Sequence, residues 1–204
     1  MPFTLPWTKK QDDDPYWDAF TNRPPADPNA LALFEMLRSA PDGNVYPVQS
    51  EVHSPDIMAQ HLKGLASFFG ADVVGILRLA GNTAPAGREP DAPTEYPFGI
   101  LVGVRAEHDP STAAGMGGQT PVLKGAGVTF NLGAYIRECG YHATRTQAGG
   151  LDRLAAACGL GTLNGAGRLV TAAFGDGIHL ADVVLTDLPL APDGEEAAPW
   201  PPTS

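Results

Sequence analysis

The sequence has few basic residues, few cysteines and no long hydrophobic run, and each shortage excludes a class of protein. Thirteen Lys and Arg stand against 23 Asp and Glu in 204 residues, which gives a formal net charge of −10. A surface of that charge repels phosphate backbones and anionic lipids, so we expect no nucleic-acid partner and no membrane partner. No apolar stretch approaches the roughly 20 residues of a membrane span, and the first residues lack the order of a secretory signal. We therefore expect a cytoplasmic protein.

Cysteine is the next shortage. Only Cys139 and Cys158 occur, each near the end of a predicted helix and without a CxxC partner or a nearby histidine at ligand spacing. We expect small buried thiols, because a free cysteine usually packs as a small hydrophobe; the sequence leaves a disulfide between the two open. The zinc-protease, nucleophile-elbow and P-loop signatures are also absent, which argues against those three kinds of site.

Proline and aromatic residues indicate how the chain is organised. With 43% apolar residues, a chain of this length can bury about two thirds of its unfolded surface in one core. Proline concentrates at the two ends, where it favours extended or turn-rich segments. We expect a Pro-rich, aromatic N-terminal arm at 1–50, one folded domain at 51–193 and a disordered tail at 194–204.

Hydrophobic periodicity predicts helices that alternate with β-rich runs. "ALALFEMLRSAPDG" predicts a helix that ends before Pro41, and Ser54 and Pro55 begin an amphipathic helix that Gly70 ends. "ADVVGILRL" and "YPFGILVGVRA" are typical of strands, with a Pro- and Gly-rich loop between them. Residues 107–127 are typical of a long mobile loop, and a helix is predicted from about Thr129 to Cys139.

The last third of the chain continues this alternation. "YHATR" predicts a short strand, "LDRLAAAC" a helix, "GRLVTAAF" a strand with its exit, and "GIHLADVVLTDLPL" one long strand. Helices that alternate with β-rich runs indicate an α/β or α+β protein whose helices pack on a sheet.

The segment "GLGTLNGAGRLVTAAF", Gly159 to Phe174, is the strongest candidate for a binding segment. Four glycines within nine residues allow a phosphate, another strand or a large flat cofactor to come very close to its backbone. The segment approaches the dinucleotide fingerprint GxGxxG, but Asn164 stands where the third glycine should be. It also follows a predicted helix, whereas the fingerprint follows a strand. We therefore expect no dinucleotide site.

Five segments in order resemble the cobalamin-binding core of the reductive dehalogenases and, more distantly, epoxyqueuosine reductase. The resemblance covers roughly residues 52–193, and its segments are "HLKGLASFFGADVVGI", "YPFGILVGVRAEHD", "LGAYIRECGYHATR", "LAAACGLGTLNGAGRLVTAAFG" and "HLADVVLTDLPLAPD". It implies a nitroreductase-like mixed sheet flanked by helices, with a base-off corrinoid between the sheet and glycine-rich loops. The cofactor-binding residues that it implies are Leu160, Gly161, Asn164, Gly165, Gly167, Val170, Thr171, Phe174 and His179.

Two departures from the family pattern bear on function. The reductive dehalogenases carry cysteine motifs for two four-iron four-sulfur clusters, which need about eight thiolates, whereas this sequence has two cysteines. We expect no iron–sulfur cluster here, so that electrons would come from a separate electron-transfer protein. The family's tyrosine proton donor also has no counterpart in "GGQTPVLKGAGVTFN", where Lys124 is the candidate catalytic residue.

The leading hypothesis is a cobalamin-binding protein that either handles a corrinoid or, as a cobalamin-dependent oxidoreductase, reduces a substrate with an external electron donor. One alternative is an FMN-dependent nitroreductase-like oxidoreductase. Another is an interaction module that kept the fold without a ligand. Because nitroreductase-like cores often pair, we also expect a homodimer.

Overall fold

The computed structural model describes residues 15–23, 27–51, 53–81, 95–194 and 196–200. The start of the predicted arm and most of the predicted loop between the first two strands lie outside these ranges. The helices in the described part of the chain are α1 (Pro15–Asn22), α2 (Pro28–Ser39), α3 (Pro55–Phe68), α4 (Met116–Glu138) and α5 (Leu151–Ala157). The strands are β1 (Val73–Ala80), β2 (Phe98–Arg105), β3 (Ala143–Thr146), β4 (Thr162–Leu163), β5 (Leu169–Val170), β6 (Ile178–Leu180), β7 (Val183–Thr186) and β8 (Ala198–Pro199).

One mixed sheet organises the fold. Its strand order is β3-β7-β2-β1-β8, and β6 pairs with β2 beside β7. All pairs are antiparallel except β1 with β8, and β4 and β5 form a separate hairpin. The predicted mixed sheet flanked by helices is confirmed, and the nitroreductase-like assignment stays a prediction. Strand β8 lies in the segment predicted to be a disordered tail.

Both faces of the sheet are buried. Helices α3 and α4 cover one face, where Leu62 and Leu132 pack with Ile100. Helix α5 covers the other, where Leu154 packs with Leu101. Successive residues of a strand point to opposite faces, so β2 supplies side chains to both cores. This explains its unbroken apolar sequence, which is typical of a strand covered on both sides.

Helix α5 lies very close to β1 because β1 has a glycine at the contact. A Cβ on Gly75 would stand 2.3 Å from the Cys158 sulfur. Burial raises the pKa of the Cys158 thiol to about 11, so the thiol is protonated at neutral pH. Cys158 is buried, Cys139 is half-buried and both are free. The thiols are therefore unpaired, and Cys158 packs as the small hydrophobe that the sequence predicts.

The helix predicted after Ser54 is confirmed as α3. Pro55 occupies its first turn, and Gly70 ends it with φ at +109°, a left-handed conformation that favours glycine. Two apolar residues of this helix nevertheless point outward: Ile57 is 52% exposed and Phe68 is 82% exposed. None of the helices that the structure describes combines the length with the hydropathy that a bilayer-spanning helix requires.

The predicted loop at 107–127 is wrong over its second half, because α4 begins at Met116. Two glycines, a proline and two further glycines in the first part of this helix lower its intrinsic helix propensity. Tertiary contacts override that preference. A Cβ on Gly118 would lie 2.1 Å from the Ala113 carbonyl oxygen, and one on Gly125 would lie 2.8 Å from the Ala181 Cβ. Glycine is therefore what lets this helix pack where it does.

The long strand predicted from residue 177 to 190 is also wrong, because the structure has two strands, β6 and β7. Leu180 pairs with Gly103 and Val184 pairs with Ile100, so residues 181–183 stand opposite only residues 101–102. The extra residue is a β-bulge, which shifts the side-chain alternation by one position.

Candidate functional site

A cleft of about 740 Å³ opens at the end of β2. Its walls are the segment after β2, the start of β6, the first turn of α5 and the β4–β5 hairpin. The described residues that line it are Ala106, Glu107, Asp109, Pro110, Ser111, Leu151, Asp152, Arg168, Asp176, Gly177, Ile178, His179 and Leu180. Four carboxyl groups, one guanidinium and one imidazole thus meet in a single concavity, which is the kind of place where binding sites occur.

The bulge in β6–β7 determines which way His179 points. Beyond the bulge, Val183 and Leu185 belong to the core under α5. Regular alternation would put His179 on that same face. The extra residue reverses the alternation, and Ala181 instead joins the core under α4. His179, two residues before Ala181, lies on the same face of the sheet, and its ring is 3.7 Å from the Cβ position of Gly125 in α4.

His179 lines a second cavity as well. This cavity of about 410 Å³ lies between α4 and residues 147–149, and it shares Leu151, His179 and Leu180 with the cleft. Burial lowers the pKa of His179 from its ordinary 6.5, although Asp182 and Asp109 act in the opposite direction. The imidazole is therefore neutral at pH 7 and can offer a lone pair or a single N–H to a bound group.

Asp109 and Arg168 face each other in the cleft. The Asp109 carboxylate accepts hydrogen bonds from the backbone N–H and the hydroxyl of Ser111, at 2.9 and 2.7 Å. The Arg168 guanidinium lies 3.9 Å from the same carboxylate. The pKa of Asp109 is lowered first by the Ser111 N–H, then by the Ser111 hydroxyl, and by Arg168 to a smaller extent. Asp109 is thus anionic and held in place at neutral pH.

Asp152 joins the hairpin to α5. Its carboxylate accepts a hydrogen bond of 2.7 Å from the Leu169 N–H, on the strand that follows Arg168. Asp152 also lines the cleft. The side chain therefore fixes the base of the hairpin beside the cleft.

The glycine-rich segment forms this hairpin. The Asn164 side-chain oxygen accepts hydrogen bonds from the N–H groups of Ala166 and Arg168, so Asn164 organises the turn. Gly167 has φ at +76°, and a Cβ on Gly165 or Gly167 would meet nothing within 4 Å. A Cβ on Gly161 would lie 2.3 Å from the Val170 carbonyl oxygen. The close neighbour of Gly161 is therefore the opposite strand of the hairpin.

The other predicted cofactor-binding residues have mixed surroundings. Leu160 packs against the core under α5. Thr171 is buried, and its hydroxyl accepts a hydrogen bond from the Phe174 N–H. Val170 and Phe174 are half-buried. Of the nine residues, His179 belongs to the described cleft lining, and the hairpin that contains the turn glycines contributes Arg168 to that lining.

Lys124 lies apart from these groups. Its ammonium is 3.4 Å from the Asp72 carboxylate, on the side of α4 that faces the start of β1. Val122 and Ala126 of the same helix line the second cavity. A step of two residues turns a helix by about 200°, so Lys124 points away from that cavity. Its catalytic role stays a prediction.

The predicted site includes none of the other charged residues that line the cleft, which are Glu107, Asp109, Asp152, Arg168 and Asp176. A single carboxylate in a sequence is most often solvated, and an arginine beside glycines has no distinctive spacing. Their convergence depends on how the hairpin folds back on α5, which no local pattern encodes. Among the described residues, no group of three or more His, Cys, Asp or Glu side chains is arranged to hold a metal ion.

Comparison with known proteins gives a likeness of structure. No protein-family model matches the sequence, and no curated protein matches it significantly. The structure of the catabolic reductive dehalogenase NpRdhA resembles this chain with a TM-score of 0.63 at 24% identity, covering 90% of this chain and 28% of that one. A reductive dehalogenase structure described as suggesting a mechanism for B12-dependent dehalogenation also has a TM-score of 0.63 at 24% identity. The match covers 90% of this chain and 28% of that chain.

NpRdhA in complex with 3-bromo-4-hydroxybenzoic acid gives a TM-score of 0.64 at 23% identity, with 90% of this chain and 27% of that chain covered. The chain thus spans little more than a quarter of the length of the dehalogenases it matches. At this level of identity the likeness establishes the fold: the chain has the fold of a part of the reductive dehalogenases.

Proposed function

We propose that this chain binds a corrinoid, cobalamin, in the cleft beside His179. The observation that carries the proposal is the combination of a fold shared with part of the reductive dehalogenases and a large cleft with charged residues, to which the glycine-rich hairpin contributes Arg168. One of the similar structures is described in terms of B12-dependent dehalogenation. The cleft of about 740 Å³ and the adjoining cavity of about 410 Å³ share His179, and each has the volume of a small-molecule binding site.

The lining suits the periphery of a corrin. The corrin ring carries uncharged amide side chains, which donate hydrogen bonds to carboxylates and accept them from guanidinium groups. Amide N–H groups of the corrin would donate hydrogen bonds to the carboxylates of Asp109, Asp152 and Asp176. The Arg168 guanidinium would donate hydrogen bonds to amide oxygens. The open space around Gly165 and Gly167 leaves the hairpin turn free to approach the ring.

His179 is the cleft residue suited to the centre of the ring. Its imidazole is neutral at pH 7 because burial lowers its pKa, so it could approach cobalt or an amide without charge repulsion. When bound, cobalamin supplies a redox-active cobalt, while the protein supplies binding, orientation and electrostatics. The 204 residues contain two cysteines, fewer than the four thiolates of one iron–sulfur cluster. Electrons for any reduction would therefore come from elsewhere.

The test is a spectroscopic titration of the purified protein with hydroxocobalamin, with equilibrium dialysis to measure the bound fraction. We expect saturable binding at micromolar concentration and a shift of the visible spectrum to the base-off form. Absence of binding at that level would overturn the proposal. Flavin absorbance in the purified protein would replace it with the FMN alternative.

Two variants locate the site. Arg168→Ala removes the guanidinium from the cleft, and Gly165→Leu adds bulk to a turn that has open space around it. We expect each to weaken cobalamin binding by about tenfold or more, which corresponds to roughly 1.4 kcal/mol. The matched control is Gly64→Leu, because a Cβ at Gly64 also meets nothing within 4 Å and this glycine lies on α3. Equal affinity in all three variants would place the corrinoid outside this cleft.

A further inference from the structure

The outward side of α3 carries an exposed, partly apolar stripe. Ile57, His61, Gly64 and Phe68 follow one another at steps of four, three and four residues, so they lie on one face of the helix. All four are exposed, and Phe68 is 82% exposed. A Cβ on Gly64 would meet nothing within 4 Å, so the middle of the stripe is open. Large apolar side chains that are exposed together are typical of an interaction surface.

Helix α4 lies beside α3 and widens this surface. His61 and the Tyr135 hydroxyl share a hydrogen bond of 2.9 Å. At the other end of α3, a Cβ on Gly70 would stand 2.8 Å from Cε of Lys124. The two helices are therefore neighbours that run in opposite directions. Their outward side is one surface, the α3–α4 face, made chiefly of Ile57, His61, Gly64, Phe68, Lys124 and Glu138.

The stripe on α3 is complementary to itself. When two copies of α3 pack antiparallel about a twofold axis halfway along the stripe, Ile57 of each copy faces Phe68 of the other, and His61 faces Gly64. The apolar pairs then cover each other at both ends, and each His61 ring enters the open space above a Gly64. A twofold interface requires this property, because the same patch has to serve both copies.

The charges on α4 match under the same operation. Lys124 and Glu138 are both exposed and lie at equal distances in sequence from Asn131. A twofold axis at the level of Asn131 brings Lys124 of each copy to Glu138 of the other. The hydrogen bond between His61 and Tyr135 puts this level within about one helical turn of the middle of the stripe on α3. One axis therefore serves both helices.

The charge of these helices also favours a second copy over their surroundings. Helices α3 and α4 contain three basic and two acidic residues, whereas the whole chain has a formal charge of −10. Two copies that approach through the α3–α4 face therefore avoid most of the repulsion between their acidic surfaces.

The size of the face sets the expected strength. Helix α3 has 14 residues and is about 21 Å long, and two helices side by side are about 20–24 Å wide. The face thus offers about 450 Å² per copy, which is close to the lower limit of about 1,000 Å² in total for a specific interface. These dimensions fit a weak, reversible dimer.

We propose that the α3–α4 face binds a second copy of this chain and forms a twofold symmetric dimer with the two α3 helices antiparallel. Phe68 packs on Ile57 of the second copy, and Lys124 pairs with Glu138. None of the six residues belongs to the described lining of the cleft or of the cavity beside His179. The dimer therefore needs no corrinoid, and this proposal stands apart from the corrinoid proposal.

Sedimentation velocity of the full chain over a range of concentrations tests the dimer. We expect a monomer–dimer equilibrium with a Kd of about 10–100 μM, as is usual for small interfaces. Phe68→Asp puts a charge at the end of the stripe and should weaken the dimer by about tenfold or more. The matched control is Met36→Asp, the same change at a residue of α2 that is 59% exposed. We expect it to leave the Kd unchanged.

A pair of charge reversals tests the antiparallel register. Lys124→Glu and Glu138→Lys each put like charges opposite one another in their own dimers, so each should dimerise about three- to tenfold more weakly than wild type. A mixed dimer of the two variants has opposite charges at both positions. We therefore expect an equimolar mixture to recover a Kd near that of wild type, and circular dichroism checks that both variants are folded.

Three results would overturn the proposal. The first is a wild-type chain that stays monomeric up to about 1 mM, since a specific interface is populated at that concentration. The second is equal weakening by Phe68→Asp and Met36→Asp, and the third is a mixture of the charge variants that dimerises no better than either alone. Hydroxocobalamin titration of Phe68→Asp should match wild type, which separates a failure of the dimer from a failure of the corrinoid cleft.

Discussion

Two glycine-rich parts of this chain use glycine for opposite reasons. In the first half of α4, glycine makes room for neighbours: a Cβ on Gly118 would lie 2.1 Å from a carbonyl oxygen, and one on Gly117 would lie 2.9 Å from the His108 ring. In the turn of the β4–β5 hairpin, a Cβ on Gly165 or Gly167 would meet nothing within 4 Å.

The difference shows that glycine density alone does not identify a binding segment. The same residue lets a helix pack against a loop in one place and leaves a turn open beside a cleft in another. The hairpin turn has the free space in which a ligand could approach the backbone. Gly117, Gly118 and Gly125 of α4 have no such space, because neighbouring residues occupy it.

The largest expected change in stability comes from adding a Cβ where α4 contacts residue 113. Gly118→Ala should lower the free energy of unfolding by about 3 kcal/mol, because the Cβ meets backbone that cannot move aside. Gly127→Ala in the same helix is the matched control: its Cβ meets nothing within 4 Å, and the gain in helix propensity should stabilise the chain by about 0.5–1 kcal/mol. Urea unfolding measures both, and two similar values would contradict the contrast.

A smaller effect is expected inside the hairpin. Gly161→Ala puts a Cβ 2.3 Å from the Val170 carbonyl oxygen, so it should break the β4–β5 pairing at a cost of about 1–2 kcal/mol. Amide hydrogen exchange should accelerate in residues 162–170 and stay slow in the main sheet. Faster exchange throughout the sheet would show instead that the hairpin folds as one unit with the domain.

In the turn of the hairpin, a substitution of glycine should affect stability only through the backbone conformation, because no neighbouring atom lies within 4 Å of the added Cβ. Gly167→Ala forces an alanine into φ near +76° and should cost about 1 kcal/mol. Gly165→Ala, two residues earlier and outside the positive-φ region, should change stability by no more than about 0.5 kcal/mol. Thermal unfolding of the pair measures the difference, and equal midpoints would mean that the turn relaxes to another geometry.

The smallest expected effect is on the pH dependence of stability and comes from His179, whose ring lies close to Gly125 of α4. Its folded pKa is lowered from 6.5, chiefly by burial. The unfolded chain therefore binds more protons than the folded one as pH falls through 6.5, and stability is lost on the acid side. His179→Gln should flatten this loss between pH 7 and pH 5, relative to wild type, in urea unfolding. Parallel pH profiles for the two proteins would contradict the burial of this imidazole.

Local patterns predicted several elements correctly because the deciding interactions lie within a few residues. Pro55 and Gly70 set the ends of α3 by their own backbone preferences, and the apolar runs of β1 and β2 match strands buried on both faces. The start of α4 could not be predicted, since glycine and proline disfavour a helix unless distant partners require them. The split of the last long strand likewise depends on its pairing with β2.

The charge of −10 and the alternation of helices with strands could be read from the sequence, because they follow from composition and short-range preference. The positions of the charged groups in the cleft could not, because they depend on tertiary packing. The bulge turns His179 toward α4, and the hairpin brings Arg168 to Asp109 across nearly sixty residues. Each of these depends on packing between segments distant in sequence, which local preferences do not encode.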